Sequence, residues 1–283
     1  MLQIHAIQTG SVQIKVAQME SRGKGVGRTA HILFDKDWSE WLPIFAWAIE
    51  HEEGVIVVDT GETARALTPG YFPAWHPFFH MVRFRIEPED EIGPQLRNLG
   101  IAPSDVRQVL LTHLHTDHAG GLAHFEKSRI WVNRPDYETA SGSFGWLQGY
   151  LPRNWPAWWK PEFIRFEAEP MGPFAQSMKL TRSGDVIVIR TPGHTPAHVS
   201  VLVRGAPSWF LAGDTSYNEK LLLAGKVDGV SPNVAQALET GKQILELARM
   251  EALIYLPAHD PDNLARIATN CHCGVAATTR DST

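Results

Sequence analysis

The chain has 283 residues, 43% of them hydrophobic, and a formal net charge of −5. This length allows a large core in one domain or two, and the acidic balance argues against a nucleic-acid partner, which usually needs a basic surface. The two cysteines, Cys271 and Cys273, lie too close together to staple distant parts of the fold, which suits a reducing compartment. Residues 1–10 lack a signal-peptide pattern, and no apolar run approaches the ~20 residues of a membrane span. The sequence therefore predicts a soluble, cytoplasmic protein that does not bind membranes.

Strands are predicted for the N-terminal part of the chain. Gln3–Ile7 and Val12–Val16 have strand-like apolar spacing, and the Gln8–Ser11 segment between them predicts a hairpin turn. Residues 19–28 combine four charged side chains with glycine and serine, which is typical of an exposed loop. A further strand is predicted at Ile44–Ile49. The chain therefore begins with strands and a solvated loop.

A second strand in this region, Gly54–Asp59, is continuously apolar and ends in an aspartate. Such a run is typical of a strand that is buried on both faces. A carboxylate at the end of a buried strand needs a partner. Asp59 could cap the turn, or it could accept a hydrogen bond from a histidine that binds a metal. The sequence leaves both roles open.

Two segments, residues 69–88 and 144–166, are rich in aromatic residues and proline. The first has no clean helical or strand period, and the prolines of the second make one continuous helix unfavourable. The second segment also contains four tryptophans, Trp146, Trp155, Trp158 and Trp159. We expect both segments to be long excursions from the regular structure.

The remaining chain alternates strands with helices. Helices are predicted at Glu91–Leu99, which ends at Gly100, and at Pro232–Met250. Further strands are predicted at Val109–Leu111, Ile130–Asn133, Val186–Ile189, Val199–Val203, Trp209–Leu211 and Leu253–Leu256. This order predicts a mixed α/β layered sandwich. We expect a single domain over residues 1–270 and a frayed tail over residues 271–283.

The most informative stretch is Thr112–His118, which follows the apolar run Val109–Leu111. It places three histidines and one aspartate within six positions. Gly120 and Gly121 follow, and paired glycines allow a tight bend there. Neutral imidazole and carboxylate groups are good ligands for zinc-like divalent ions, and loops at strand ends often present reactive groups. The stretch therefore predicts a metal site.

Three later strand ends carry side chains of the same types, namely His194, Asp214 and His259. With the first stretch they make a set of five histidines and two aspartates. A structural zinc site needs only four ligands and closes itself. Seven ligands suit two metal ions about 3.5–4 Å apart, with one bridging carboxylate and open positions for water.

These motifs resemble those of the metallo-β-lactamase superfamily. The matching elements are His113-x-His115-x-Asp117-His118, Pro192-Gly193-His194, Gly213-Asp214 and His259. The resemblance extends from Val55 to His259 and implies a four-layer αββα sandwich with metal ions at the sheet edge. It also implies ligand roles. His113, His115 and His194 would bind the first metal, Asp117, His118 and His259 the second, and Asp214 would bridge them. Asp59 would accept a hydrogen bond from a histidine that binds a metal.

Within the superfamily, the chain resembles the N-acyl homoserine lactone lactonases. Asp214 stands where zinc β-lactamases typically have a cysteine, and the Asp214–Tyr217 segment resembles the Asp-x-Ser-Tyr of the lactonases. The Thr191–Pro196 segment also matches them. The resemblance implies a hydrolase that opens the lactone ring of N-acyl homoserine lactones or similar lactones. It needs two divalent ions per chain, with zinc foremost and cobalt, manganese or iron as alternatives.

The resemblance also implies roles in the reaction. Hydroxide generated by the two metals would attack the lactone carbonyl, and the Tyr217 hydroxyl would stabilise the oxyanion. Tyr217 could instead simply pack on its loop. Asp117 would pass a proton to the leaving alkoxide. The aromatic segments, 71–84 and 144–166, would wall a pocket for the acyl chain, and their tryptophans would set the substrate range. The expected partner is a small acyl lactone, and a homodimer is possible.

Two other classes of function stay open at this point. A phosphodiester or organophosphate hydrolase could use the same two metals, although a nuclease would want a basic groove. A glyoxalase II-like thioesterase would need cationic side chains for the glutathione carboxylates, and the sequence shows mainly aromatic residues there. The other class is a metal-binding or sensor module without catalysis. The intact ligand set and Tyr217 argue against that reading.

Overall fold

The computed structural model describes residues 2–21, 26–73 and 80–274. Twelve strands lie in this part of the chain. In chain order they are β1 (Gln3–Ile14), β2 (Leu42–Glu50), β3 (Val55–Val58), β4 (Val82–Arg85), β5 (Val106–Leu110), β6 (Arg129–Val132), β7 (Glu162–Phe163), β8 (Ser177–Lys179), β9 (Val186–Arg190), β10 (Val199–Val203), β11 (Ser208–Gly213) and β12 (Leu253–Pro257). Most strands predicted from apolar runs are therefore present, with ends that differ by no more than three residues.

Eight α-helices accompany the strands in the described residues. They are α1 (Val16–Met19), α2 (Val26–Phe34), α3 (Ile92–Asn98), α4 (Thr116–Ala119), α5 (Arg134–Ser141), α6 (Glu219–Leu223), α7 (Val234–Met250) and α8 (Asn263–Thr269). The predictions of α3 and α7 are confirmed to within two residues. Among the described residues, no helix combines the length and the apolar character that crossing a membrane demands.

The strands form two mixed sheets. The first has the order β4-β1-β2-β3-β5-β6-β7, and the second has the order β12-β11-β10-β9-β8. In the first sheet β3, β5, β6 and β7 run parallel to one another, while β1 pairs antiparallel with β2 and β4, and β2 pairs antiparallel with β3. In the second sheet β11 and β12 run parallel. Parallel strands bring their carboxyl ends to one edge of a sheet, which is where ligands bind in such folds.

The two sheets pack face to face over a shared apolar core. Side chains alternate between the faces, as the strand repeat of two residues requires. In β2, Phe45 and Trp47 face the second sheet, whereas Ala46 and Ala48 face the opposite way. In the second sheet, the valines of β9 and the odd-numbered valines of β10 fill the same core from the other side. Nearly continuous apolar strands are thus explained by burial on both faces.

Helices cover the outer face of each sheet. Ile92 and Leu96 of α3 pack on the first sheet, and Ile244 and Leu247 of α7 pack on the second. The layers are therefore helix, sheet, sheet and helix. The predicted α/β class and four-layer αββα sandwich are confirmed.

The predicted N-terminal hairpin is wrong. Gln3–Ile14 is one strand, with a bulge between Gln8 and Ser11. Gly10 adopts a positive φ of 110°, and a Cβ atom there would lie 2.6 Å from Ile86. The glycine therefore bends the strand and lets it approach β4 closely, rather than making a turn. The bulge allows β1 to pair with β2 along its length and with β4 at its end.

Two predicted irregular segments also contain regular structure. The predicted loop at 19–28 runs into α2, which begins at Val26, and residues 22–25 lie outside the described residues. The predicted excursion at 69–88 contains β4 at Val82–Arg85, and residues 74–79 again lie outside the described part. In the predicted tail, residues 271–274 pack on the body, because Cys273 is buried and its N–H donates to Leu253 O. Residues 275–283 are not described, so the frayed tail stays a prediction.

Candidate metal centre

The seven predicted ligands come together where four strands end, and Asp59 lies beside them at the end of a fifth strand. Asp59 follows β3, the His113–His118 turn follows β5, His194 follows β9, Asp214 follows β11 and His259 follows β12. Each carboxyl end meets the same edge of the sandwich, so residues distant in sequence become neighbours. The described residues contain three overlapping groups of three ligand atoms, each within 4.8 Å of one another.

The first part of the centre consists of three histidines. His115 Nδ1 lies 2.9 Å from His113 Nε2 and 3.0 Å from His194 Nε2. Asp214 Oδ2 lies 3.5 Å from His194 Nε2 and 4.0 Å from His113 Nε2. These four atoms surround a small common volume, as the ligands of one tetrahedral ion would.

The second part consists of Asp117, His118 and His259. His259 Nε2 lies 3.4 Å from Asp117 Oδ2, and His118 Nε2 lies 4.0 Å from Asp117 Oδ1. Asp214 joins this part as well, since its Oδ1 lies 3.2 Å from His118 Nε2 and its Oδ2 lies 3.4 Å from His259 Nε2. Asp214 therefore lies between both groups, where a bridging carboxylate belongs.

Each of the five histidines has its other ring nitrogen held by an acceptor. The acceptors are Thr112 Oγ1 for His113, Gln148 O for His115, Asp59 Oδ2 for His118, Asp228 Oδ2 for His194 and Pro43 O for His259. Carbonyl and carboxylate oxygens can only accept, and the Thr112 hydroxyl accepts because it donates to Asp59. The proton of each neutral ring is thus fixed on the nitrogen that faces away from the centre.

This arrangement fits divalent metal ions. The tautomers aim five lone pairs into the centre, and imidazole lone pairs about 3 Å apart repel one another unless a cation lies among them. Two buried ligand atoms, His118 Nε2 and Asp214 Oδ1, also make no hydrogen bond. Buried polar atoms without partners are unfavourable, and metal coordination would satisfy them. The donor set of nitrogen and carboxylate oxygen suits zinc and related ions.

Burial and neighbouring charges set the protonation of these side chains. Burial lowers the pKa of His115 to about 3 and that of His113 well below its usual range, so both rings stay neutral, as metal ligands must be. Burial also lowers the pKa of His118, but the Asp214 and Asp59 carboxylates outweigh it and raise that pKa well above its usual range. Burial likewise lowers the pKa of His194 and His259, but nearby carboxylates outweigh it and raise both, so the acidic side chains of this centre favour positive charge within it.

Asp59 holds the turn that carries the histidines. Its Oδ1 accepts the Thr112 N–H at 2.8 Å, and its Oδ2 accepts the Thr112 hydroxyl at 2.9 Å and His118 Nδ1–H at 2.8 Å. Asp59 has a positive φ of 58°, a left-handed conformation that aspartate and asparagine tolerate better than most residues. Of the two roles that the sequence leaves open, the structure shows the hydrogen bond to the histidine.

Gly120 and Gly121 serve close packing and not a bend. Neither has a positive φ, but a Cβ at Gly121 would lie 2.3 Å from Thr60 O, and one at Gly120 would lie 2.4 Å from Glu62 Oε1. Both N–H groups donate to Gly61 O. The histidine turn therefore sits directly on the turn that follows Asp59.

Two further residues of the site were missed in the sequence. Asp228 is buried in a loop, where it accepts the Val230 and Ser231 N–H groups and pairs with His194 Nδ1 at 3.3 Å. His198 Nε2 accepts the Asp214 N–H at 3.0 Å and so fixes the backbone of the bridging residue. Burial lowers the pKa of His198 to about 3, which keeps the ring neutral and able to accept. A lone aspartate in a loop gives no sequence signal of this role.

Comparison with known proteins agrees with this geometry. The model of the metallo-beta-lactamase superfamily matches residues 39–259. The chain belongs to the metallo-beta-lactamase superfamily. It is 30% identical over 222 residues to an N-acyl homoserine lactonase of a Bacillus species, an alignment that covers 77% of this chain and 82% of the relative.

Solved structures share the fold. A variant of the lactonase AiiA from Bacillus thuringiensis, with N-decanoyl-L-homoserine bound, superimposes with a TM-score of 0.73 at 23% identity over 96% of each chain. The dizinc quorum-quenching lactonase AidC gives a TM-score of 0.65 at 14% identity, over 92% of this chain and 88% of AidC. This metallo-beta-lactamase superfamily member is thus a hydrolase-family protein related to N-acyl homoserine lactonases, with a candidate metal site.

A pocket of about 610 Å³ opens onto the candidate metal centre of this superfamily member. His115, Asp117, His194, Asp214 and Tyr217 line its inner end. Its apolar lining comes from two neighbouring strands, a helix and two loops, namely Val12, Ile14, Ile32, Met81, Val82, Phe84, Leu147 and Val230. The pocket therefore pairs a polar inner end with an apolar wall, as binding sites for small molecules do.

Tyr217 lies beside the metal centre. It is 8% exposed, lines the pocket with Asp117 and Asp214, and its ring centroid lies 5.6 Å from that of His259. It also packs against apolar residues of the adjacent strands. Burial raises the pKa of Tyr217 well above its usual range, so the hydroxyl keeps its proton and can donate.

The tryptophans of the second aromatic segment do not line the pocket. Trp155, Trp158 and Trp159 pack into the core on the helix side of the first sheet, and Trp146 is also absent from the lining. The prediction that these four set the substrate range is therefore not supported by their placement. From residues 144–166, the lining takes only Leu147, Gln148 and Tyr150. The predicted first segment contributes as expected, through Met81, Val82 and Phe84.

Proposed function

We propose that this protein is a dinuclear metal-dependent hydrolase that opens the lactone ring of N-acyl homoserine lactones or close analogues. The observation that carries the proposal is the set of five histidines whose tautomers direct five lone pairs into one centre, which Asp117 and Asp214 also face. The similarity to N-acyl homoserine lactonases supports the choice of substrate. The likeness to AidC, a dizinc protein, supports zinc as the metal.

The proposed ligand sets follow the distances in the centre. His113, His115 and His194 hold the first ion, and Asp117, His118 and His259 hold the second. Asp214, whose Oδ1 lies near His118 and whose Oδ2 lies near His194 and His259, would be shared between the two ions. When bound, two such ions supply hydroxide at neutral pH and polarise an ester carbonyl.

The protein's own side chains then complete the reaction. Tyr217 donates a hydrogen bond from its protonated hydroxyl to the oxygen of the reacting carbonyl, where negative charge develops. Asp117, with a side chain 17% exposed, is the more open of the two aspartates and faces the pocket. It takes a proton during attack and gives it to the ring oxygen as that oxygen leaves.

The apolar wall of the pocket positions the acyl chain. Val12 and Ile14 of β1, with Val82 and Phe84 of β4, form a surface next to Tyr217. Burying each methylene of an acyl chain on such a surface contributes about 0.8 kcal/mol, so chain length should affect binding. This wall replaces the tryptophans as the expected determinant of chain preference.

The experiment is a pH-stat screen of the purified protein, with its metal content determined, against three classes of substrate. These are N-acyl homoserine lactones of increasing chain length, S-acyl glutathione thioesters and phosphodiesters. We expect lactones to give the highest kcat/KM and the ring-opened acyl homoserine to be the product. A higher kcat/KM for thioesters or phosphodiesters would contradict the proposed substrate, and no turnover by metal-loaded protein would contradict hydrolysis altogether.

A further inference from the structure

The pocket contains a positive charge that the proposed reaction does not use. Among the described residues that line it, Arg28 of α2 is the one basic side chain apart from the two histidines of the metal centre. The acidic lining residues are Asp117 and Asp214, both assigned to the metals. Arg28 therefore introduces a cation into a wall that is otherwise mostly apolar.

The guanidinium of Arg28 is held in place by backbone oxygens. Its Nη2 donates to Asp228 O at 3.2 Å, to Gly229 O at 3.0 Å and to Ser231 O at 2.7 Å. Three bonds to one short loop fix the group and remove the entropy cost that a free arginine would bring to binding. The loop is the same one that carries Asp228 to His194.

The charge of Arg28 has no counter-ion among the described residues. The Asp228 carboxylate turns away, toward His194 Nδ1, and Arg28 takes part in none of the ion pairs found in the described part of the chain. The Arg28 Nε atom is buried and makes no hydrogen bond. Burying a cation with only neutral partners is unfavourable, and an oxygen acceptor from a ligand would relieve that cost.

We propose that Arg28 is a specificity-determining residue that binds an acceptor oxygen in the acyl part of the substrate, with a carboxylate held more tightly than a neutral carbonyl. This rests on the proposed hydrolysis at the metal centre. The reacting carbonyl lies at the metals, the chain lies along the apolar wall, and the oxygen reaches Arg28. The favoured substrates are lactones whose acyl group carries an amide, oxo or carboxylate oxygen.

The kinetic test compares lactones of equal chain length. The set is an alkyl lactone with no such oxygen, an N-acyl homoserine lactone, its 3-oxo form and a form with a terminal carboxylate. Hydrogen bonds to a charged group are worth about 1.5–3 kcal/mol, so Arg28→Met should lower kcat/KM for the oxygen-bearing substrates by about 10- to 100-fold more than for the alkyl lactone. Arg28→Lys should restore kcat/KM for the carboxylate substrate more than for the neutral ones. Lysine restores the positive charge but lacks the planar, paired N–H donors of the guanidinium group.

A matched control separates the effect of losing the Arg28 charge from the effect of losing contact area in the pocket wall. Ile32 lies on the same helix and lines the same pocket, so Ile32→Ala should affect all four substrates about equally. An equal loss across the four substrates in Arg28→Met would mean that Arg28 only holds the 228–231 loop, and the proposal would be wrong.

A binding measurement tests Arg28 without any turnover. Calorimetry of the zinc-loaded protein compares each α,ω-dicarboxylate from adipate to sebacate with the monocarboxylate of the same length. One carboxylate mimics the ring-opened product at the metal centre, and the second reaches Arg28. We expect at least one dicarboxylate to bind about 10-fold tighter than its partner in the wild type, and Arg28→Met to abolish that preference. If no dicarboxylate is preferred, Arg28 binds no acyl oxygen, even where lactones are hydrolysed. If the preference is present but no lactone is opened, the proposed substrate is wrong and the role of Arg28 stands.

Discussion

Replacement of Asp59 by asparagine tests whether the surrounding hydrogen bonds set the metal centre. Asparagine tolerates the left-handed backbone of Asp59, whose φ is 58°, so the substitution changes the side-chain chemistry without straining the turn. Alanine would change the side-chain chemistry and also strain the left-handed backbone, so the two effects could not be separated. The asparagine oxygen can still accept the Thr112 N–H in place of Asp59 Oδ1. The amide NH₂ must then take the place of Oδ2.

That NH₂ group faces His118 Nδ1, which donates to Asp59 Oδ2 at 2.8 Å in the wild type. Two donors cannot bond, so His118 must move its proton to Nε2 or rotate. A proton on Nε2 occupies the lone pair that we assign to the second metal. Asp59→Asn should therefore weaken metal binding through the tautomer of His118, without touching a metal ligand.

The expected magnitude follows from comparable supporting residues. Loss of the residue that hydrogen-bonds a metal ligand typically lowers metal affinity or activity by about 10–100-fold. That range corresponds to about 1.4–2.7 kcal/mol. Asp59 also accepts three hydrogen bonds as a buried carboxylate, so the metal-free variant should lose about 1.5–3 kcal/mol in its free energy of unfolding.

The assay is competition with a chromogenic chelator, which reports the affinity of each bound ion, together with denaturant unfolding of the metal-free protein. Asp185→Asn is the matched control. Asp185 also accepts a hydrogen bond from a histidine, His51, at 3.0 Å, but it lies outside the pocket and the candidate metal groups. The control should lose stability and keep both ions at wild-type affinity. If Asp59→Asn also retained wild-type metal affinity and activity, the tautomer argument would be wrong.

Three further predictions concern other parts of the molecule. Tyr217→Phe should lower kcat/KM for lactones by about 5- to 30-fold, which corresponds to about 1–2 kcal/mol, with both metals and the melting temperature unchanged; unaltered kinetics would remove Tyr217 from the reaction. Trp159→Ala should lower the free energy of unfolding by about 3–5 kcal/mol and lower activity equally for all acyl chain lengths. Phe84→Ala should selectively lower activity toward long-chain substrates, and the opposite pattern would place the tryptophan in the pocket. The stability difference between wild type and Asp185→Asn should shrink as the pH falls from about 4 to about 2 in denaturant titrations, because the hydrogen bonds to Asp185 outweigh its burial and lower its pKa to about 2; a constant difference would exclude an ionic contribution.

The convergence of the candidate ligands could be predicted from the sequence because they lie at strand ends with strong local signals. The His113–His118 cluster follows an apolar run, and Asp214 and His259 each follow another. Strands buried on both faces, such as Val55–Val58, are also continuous in sequence and easily found. These features depend on neighbours in the chain, so a sequence pattern carries them.

The features that were missed depend on contacts between distant segments. Asp228 reaches His194 from a loop 34 residues away, and Arg28 reaches the 228–231 loop across about 200 residues. Nothing in their local sequence distinguishes them from solvated charges. Similarly, Gly10 and its neighbours look like a hairpin turn, but Ile86 on a distant segment makes them a bulge. Tertiary contact decided these cases, and local propensity did not.

In the proposed centre, seven side chains hold two metal ions, with Asp214 shared between them. The most direct measurement is elemental analysis of protein purified without chelator, combined with activity as a chelator removes the ions stepwise. We predict close to two ions per chain, and activity that disappears when the first ion leaves. We also predict that Asp214→Ala loses both occupancy and activity, because that carboxylate lies within 4.0 Å of four histidine ligand atoms. A single tightly held ion that supports full activity would contradict the dinuclear centre.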